Sequence, residues 1–148
     1  MEDHNNIFYL THMIEQITNE NIVRFSKEFV YPIGISTIIV LGEIAASGPI
    51  KQIDLADRLG YSKSSITNIA NKLANLELIR RIYDSSDRRT VQLEITDKGY
   101  EALEESKTLG DKIYKELFSI LSEEELLFYI EIQKKLLAQI SNNKRLSF

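Results

Sequence analysis

Apolar residues recur at helical spacing from the start of the chain. Ile7, Leu10, Ile14 and Ile17 are separated by three, four and three positions, the interval that places side chains on one face of an α-helix. Beyond Asn21 the apolar set becomes Ile22, Val23, Phe25, Phe29 and Val30, which at about 100° per residue lies on a rotated face. The pattern predicts either one long helix over 5–30 that meets two different neighbours or a helix broken near Thr18 to Asn21. A second helix is expected over 36–46, capped by Ser36, buried on several sides through Ile38, Ile39, Val40, Leu41 and Ile44, and stopped by Ser47-Gly48-Pro49. Residues 52–59 carry Ile53, Leu55, Ala56 and Leu59 and form a short helix ending at Gly60. Ser62 then caps a helix whose Ile66, Ile69, Ala70, Leu73 and Leu76 make a single stripe.

The period then changes from helix to strand. Residues 78–83 and 90–95 are rich in β-branched and aromatic side chains and flank Asp84-Ser85-Ser86-Asp87-Arg88-Arg89, which predicts a β-hairpin with a charged tip. Thr96 caps a long helix over 97–118, and Ser122 with Glu125 has the Ser-x-x-Glu form of a capping box opening a last helix to about Ile140. Residues 142–148 are expected to fray.

A length of 148 residues is one domain's worth, and 43% hydrophobic with 27% charged residues is the balance of a folding chain. The absence of cysteine excludes disulfides, thiolate metal sites and cysteine nucleophiles. The longest uncharged stretch, 29–42, has 14 residues and contains Pro32 and Gly34, too short and too broken for a bilayer. The acidic start Met1-Glu2-Asp3-His4 lacks the basic opening of a secretory signal, so a cytoplasmic protein is expected. No Gly-rich phosphate loop, nucleophile elbow or His-Glu-x-x-His motif is present, and the isolated Ser141-x-x-Lys144 lacks the motifs that accompany it in acyl enzymes. The expectation is a protein that is not an enzyme and carries no cofactor.

Two short helices joined by a tight turn and followed by a hairpin is the order of a winged helix-turn-helix. The resulting fold class is mainly α with a small β-hairpin wing, divided into an N-terminal dimerisation helix (5–33), a DNA-binding domain (34–98) and C-terminal dimerisation helices (99–141). A recognition helix entering a phosphate-lined groove needs hydrogen-bonding groups and cations and must avoid carboxylates. No Asp or Glu occurs in 62–76, although the chain carries a net charge of -4. The face opposite the apolar stripe offers Lys63, Ser64, Ser65, Thr67, Asn68, Asn71, Lys72 and Asn75. By segment, residues 1–49 hold 2 basic and 6 acidic side chains, 50–98 hold 9 and 7, and 99–148 hold 7 and 9, so the positive charge is concentrated in the motif. Ser64, Thr67 and Asn68 are the candidates for base edges, and Ser62, Lys63 and Lys72 for phosphates. Arg88 and Arg89 at the hairpin tip suit a narrow minor groove, with Asp87 orienting Arg89.

Asp54-Leu55-Ala56, residues 62–73, Leu78-Ile79-Arg80-Arg81, Asp87-Arg88-Arg89 and Leu93-Glu94-Ile95-Thr96-Asp97-Lys98-Gly99 together resemble the MarR (multiple antibiotic resistance regulator) family. The resemblance covers 33–99, and its most specific part is Arg81, five intervening residues, Asp87-Arg88-Arg89, then Ile95-Thr96 and Gly99. It implies an obligate homodimer with intertwined terminal helices and two recognition helices in successive major grooves of double-stranded DNA. It also implies a repressor released by an effector such as a small lipophilic anion, a metal or oxidation. Three positions depart from the family pattern: Lys51 where a capping Ser or Thr is usual, Ala74 where Glu is common, and Glu77 where Gly often ends the recognition helix. The last bears on helix-end geometry, because Gly tolerates a left-handed conformation that Glu disfavours.

Two other readings compete. Winged helices also serve as protein-docking or effector-binding modules without DNA activity. His12 with Glu15 on one helical face, or His4, would suit a metal-responsive regulator, but a His beside a Glu is weak as a metal signature and no metal is assigned. The tyrosines at 9, 31, 61, 83, 100, 114 and 129 define no effector pocket, and neither the target genes nor the effector can be read from the sequence.

Overall fold

Nine elements follow one another in a computed structural model that describes residues 2–83, 86 and 90–146: α1 (Glu2–Glu28), α2 (Ile35–Ser47), β1 (Ile50–Lys51), α3 (Gln52–Leu59), α4 (Lys63–Asn75), β2 (Ile79–Tyr83), β3 (Val91–Ile95), α5 (Asp97–Phe118) and α6 (Glu123–Leu146). They form two compact units, Met1–Asp111 and Lys112–Phe148.

In the first unit α1 is unbroken. No Gly or Pro interrupts it, and the Thr18 hydroxyl donates to the Ile14 carbonyl at 2.8 Å, so the polar stretch is absorbed without a kink. The first apolar face is exposed, and the second is buried only in part, with Ile22, Val23 and Val30 left 39%, 46% and 78% exposed. Phe25 in α1 and Phe29 just beyond it are buried, with ring centroids 5.0 Å apart, whereas Ile7, Leu10, Ile14 and Ile17 are all at least 49% exposed.

Helix α2 begins one residue earlier than its pattern suggests. Ile38 N–H donates to the Gly34 carbonyl at 3.1 Å, so the extended Gly34 is the N-cap, no side chain caps the helix, and Ser36 already lies within the first turn. Burial is also one-sided: Thr37, Val40, Leu41 and Ile44 point inward while Ile39 faces solvent. Arg58 in α3 reaches back to this helix, donating to Glu43 Oε1 at 3.0 Å and to Ser47 Oγ at 2.6 Å.

The hairpin acquires a third strand. β1 pairs antiparallel with β3, Ile50 opposite Leu93, giving the order β1-β3-β2 and placing Leu93 fully inside. Two residues are too few for any periodicity to announce. Leu41, Ile44, Leu55, Ile66, Leu73, Leu78 and Leu93 form the inaccessible core, which α2, α3, α4 and the sheet enclose.

The end of α4 is a Schellman motif with an unusual residue at its centre. Leu78 N–H donates to the Leu73 carbonyl at 3.0 Å, Glu77 N–H donates to the Ala74 carbonyl at 2.9 Å, and Leu73 and Leu78 supply the buried apolar contact. Glu77 therefore holds the left-handed position, φ 62°, where the family resemblance implies Gly, and it is the only such non-Gly residue among those described. A left-handed L-residue costs about 1–2 kcal/mol, and the larger unfolded-state entropy of Gly returns about 0.5–1 kcal/mol of that. The Glu77–Lys98 ion pair, 3.7 Å and exposed, adds little. Glu77→Gly is thus expected to stabilise by about 0.5–1 kcal/mol, seen as a melting temperature roughly 2–4 °C higher; a lower one would show that the turn is not strained.

In the second unit α6 opens with the expected capping box. Glu125 N–H donates to Ser122 Oγ and Ser122 N–H to Glu125 Oε2, both at 3.1 Å. The helix continues to Leu146 instead of fraying from Asn142, since no Gly or Pro follows Gly110 to stop it. Tyr114 and Phe118 stack at 6.0 Å, and Phe118 meets Tyr129 at 5.8 Å. Leu127, Ile130, Leu137 and Ile140 along α6 stay exposed.

Candidate nucleic-acid interface

The turn into α4 is set by Gly60 in the left-handed region, φ 70° and ψ 24°, after which Tyr61 N–H donates to the Ala56 carbonyl at 3.0 Å. Ser62 then caps α4: its Oγ accepts from Ser65 N–H at 3.1 Å and donates to Ser65 Oγ at 2.8 Å. The helix is amphipathic, as its spacing predicts. Ile66, Ala70 and Leu73 are buried, and Lys63, Ser64, Ser65, Thr67, Asn68, Asn71 and Lys72 are all exposed on the other face.

These exposed groups fall into two sets. The side chains of Lys63, Asn68 and Lys72 make no hydrogen bond or ion pair to the described residues and are available to an outside partner. The others are partly committed. Thr67 Oγ1 donates its proton to the Lys63 carbonyl at 2.8 Å and accepts from Gln52 Nε2 at 2.8 Å, and Asn71 Oδ1 accepts from Arg81 Nη2 at 2.5 Å. Ser62, expected at a phosphate, spends its hydroxyl on the cap, with Ser64 Oγ a further 3.2 Å away. Gln52 and Arg81 thus belong to the surface although the sequence pattern does not single them out for it. Arg81 stood out only as part of the family motif.

A cleft of about 450 Å³ opens between α3, α4 and β3, lined among others by Lys51, Gln52, Lys63, Thr67 and Thr90. Lys51, the departure at the cap of α3, makes no side-chain cap there and instead places a cation on this side of the molecule.

The hairpin is in the register Ile79 opposite Ile95 through Tyr83 opposite Val91. On the sheet face away from Ile79, Arg80 Nε donates to its cross-strand partner Glu94 Oε2 at 2.6 Å, and this hydrogen-bonded carboxylate raises the Arg80 pKa further above its ordinary value. The expected wing residues Asp87, Arg88 and Arg89 lie outside the described residues. Among those described, no group of three His, Asp or Glu gathers that would hold a metal ion, and His12 stacks on Phe8 with centroids 6.2 Å apart. No described helix is long and apolar enough to cross a membrane.

Comparison with known proteins matches residues 36–91 to the model of the MarR family. Over 124 residues, 84% of this chain and 78% of the relative, the sequence is 30% identical to the HTH-type transcriptional repressor MdtR of Bacillus subtilis. The chain belongs to the MarR family. Like its MarR relatives it is a transcription regulator with a winged helix-turn-helix. The crystal structure of the YusO protein from Bacillus subtilis superposes with a TM-score of 0.77 at 27% identity, covering 91% of this chain and 94% of that one. A cysteine-to-serine mutant of MarR from Escherichia coli, complexed with operator DNA, shares the fold with a TM-score of 0.65 at 24% identity over 90% and 96% of the two chains.

Proposed function

We propose that this MarR-family regulator is a repressor that binds a pseudo-palindromic operator as a homodimer and is released by an effector of unknown identity. The observation that carries the reading is the exposed face of α4, free of carboxylates in a net acidic chain and presenting the side chains of Lys63, Asn68 and Lys72 without partners among the described residues. In this reading 34–98 is the reading head, and 5–33 with 99–141 join two protomers through the exposed apolar faces of α1 and α6. Such a protein acts in the cytoplasm and by binding, not by catalysis.

Asn68 and Ser64 are the base readers, joined by Thr67, whose donated proton leaves the methyl and one lone pair for the groove. Lys63 and Lys72 hold phosphates, as Lys51 does from the α3 side, with Ser65 beside them. Ser62 acts as the cap that presents the first turn to the backbone. Arg88 and Arg89 enter the minor groove, with Asp87 orienting Arg89. Half-sites lie about 10 base pairs apart, centre to centre.

Selection from a randomised DNA library with the purified protein tests the whole reading: an inverted repeat is expected, and failure to enrich one would sink it. On the selected operator, Lys72→Ala is expected to weaken binding for every sequence alike and to flatten the log-log salt dependence by about one unit. A loss confined to one base position would make Lys72 a base reader instead.

A further inference from the structure

Asn71 projects from the exposed face of α4 one turn beyond Thr67, and its amide oxygen is held by Arg81 Nη2 at 2.5 Å. Arg81 sits half-buried in β2 on the same sheet face as the buried Ile79, which aims it at α4 instead of away from the sheet as Arg80 is aimed. A guanidinium has five N–H donors and no acceptor, so the atom facing it must be the amide oxygen. The flip of the Asn71 amide, which a free asparagine leaves open, is thereby fixed. Its NH₂ group is turned away from Arg81 and carries two unspent donors.

We infer that Arg81 is a specificity-determining positioning residue: it locks Asn71 as a hydrogen-bond donor, so that the position Asn71 reads favours a base with an acceptor edge in the major groove. Guanine meets that requirement best, with N7 and O6 both accepting side by side, whereas thymine O4 and adenine N7 each offer a single acceptor. Adenine is disfavoured relative to guanine, because asparagine reads it bidentately only by donating to N7 while its oxygen accepts from the N6 amine. Oxygen and nitrogen must then lie side by side towards the base, and here the oxygen is turned towards β2. The inference rests on the operator-binding reading above and adds to it which chemistry one position selects.

The test is selection from a randomised inverted-repeat library with the full-length wild type, Arg81→Met, Arg81→Lys, Asn71→Ala and the Arg81→Met/Asn71→Ala double variant, followed by titration of the selected operators at several salt concentrations. For the wild type one position in each half-site is expected to prefer guanine over adenine by about fivefold, the worth of one net hydrogen bond. Arg81→Met is expected to erase that preference while leaving the salt slope unchanged, and Arg81→Lys, which keeps a donor, to restore part of it. In the Asn71→Ala background Arg81→Met is expected to change the preference no further. A salt slope shallower by about one unit in Arg81→Met, with all sequences weakened alike, would make Arg81 a phosphate contact and overturn the inference. Additive losses in the double variant, or an Asn71→Ala profile identical to wild type, would overturn it too. If the wild type itself enriched no inverted repeat, the operator reading would fall with it, an outcome distinguishable from a clean operator whose profile ignores Arg81. Thermal melts of each variant separate these effects from misfolding, and Arg81→Lys remains informative where Arg81→Met does not fold.

Discussion

Gly99→Ala is expected to destabilise the protein by about 2–4 kcal/mol, lowering the melting temperature by roughly 8–15 °C. Gly99 lies in the first turn of α5, and its φ is not in the left-handed region, so alanine meets no backbone penalty there. On helix propensity alone the substitution would gain up to about 1 kcal/mol. Space decides the other way. A Cβ at Gly99 would lie 2.2 Å from the Leu78 carbonyl oxygen and 2.6 Å from Ile95 Cγ1. The first neighbour is backbone, which no rotamer change can move aside. That carbonyl also accepts from Thr96 N–H at 3.0 Å, while the Thr96 hydroxyl donates to the Glu77 carbonyl at 2.6 Å and accepts from Gly99 N–H at 3.0 Å. Moving Leu78 away from a new methyl therefore disturbs the junction at which the end of α4, the start of β2 and the start of α5 are tied together. Since the same junction holds the left-handed Glu77, the tilt of the recognition helix would shift as well. Urea or thermal denaturation reads the effect, and a melting temperature within a degree or two of wild type would show that the junction has slack.

That junction also marks how far the sequence could be read. The helices and the hairpin were legible because each repeats a single period long enough to recognise: the stripe Ile66, Ile69, Ala70, Leu73 turns inward as spacing requires, and the polar face of α4 is exposed. Caps next to an obvious partner were legible too, as at Ser62 and Ser122. β1 was not, because two residues carry no period and its pairing depends on where β3 lies. The N-cap of α2 was misplaced because Ser36 is the better capping side chain, yet the backbone turn already begins at Gly34. Gly99 was part of the family resemblance, but the reason for a glycine there is a backbone oxygen twenty-one positions earlier. Glu77 stands where a glycine suits the helix end, and tertiary hydrogen bonds from Thr96 keep the geometry regardless. For the candidate interface, composition gave the face but not its internal wiring. The bonds from Gln52 to Thr67 and from Arg81 to Asn71 join residues 15 and 10 apart on different elements, and only the packing of α3 and β2 against α4 brings them together.

Leu10→Glu combined with Ile14→Glu is expected to convert a dimer to monomers and to weaken operator binding by about 10²- to 10⁴-fold, the factor lost when two linked half-site contacts become independent. Leu10 and Ile14 lie on one face of α1 and are 53% and 55% exposed, so the changes leave the protomer's own core of Leu41, Leu55, Leu73 and Leu93 untouched. A single chain has no use for so many solvated apolar side chains along α1 and α6 unless another surface covers them. Between two protomers the new carboxylates would be buried without partners, at a cost of several kcal/mol for each pair of chains. The charge distribution makes the consequence for DNA severe. The flanks 1–49 and 99–148 carry 9 basic and 15 acidic residues, and only 50–98 is net positive, by 9 to 7. One reading head attached to an acidic body attracts DNA weakly, so tight binding has to come from two heads engaging two half-sites at once. Sedimentation at micromolar concentration should show the variant as monomer with unchanged helical circular dichroism, and its affinity for a full operator should fall to that for a single half-site. A variant that remained dimeric would remove α1 from the interface, and a monomer that kept full operator affinity would show that the two heads do not act together.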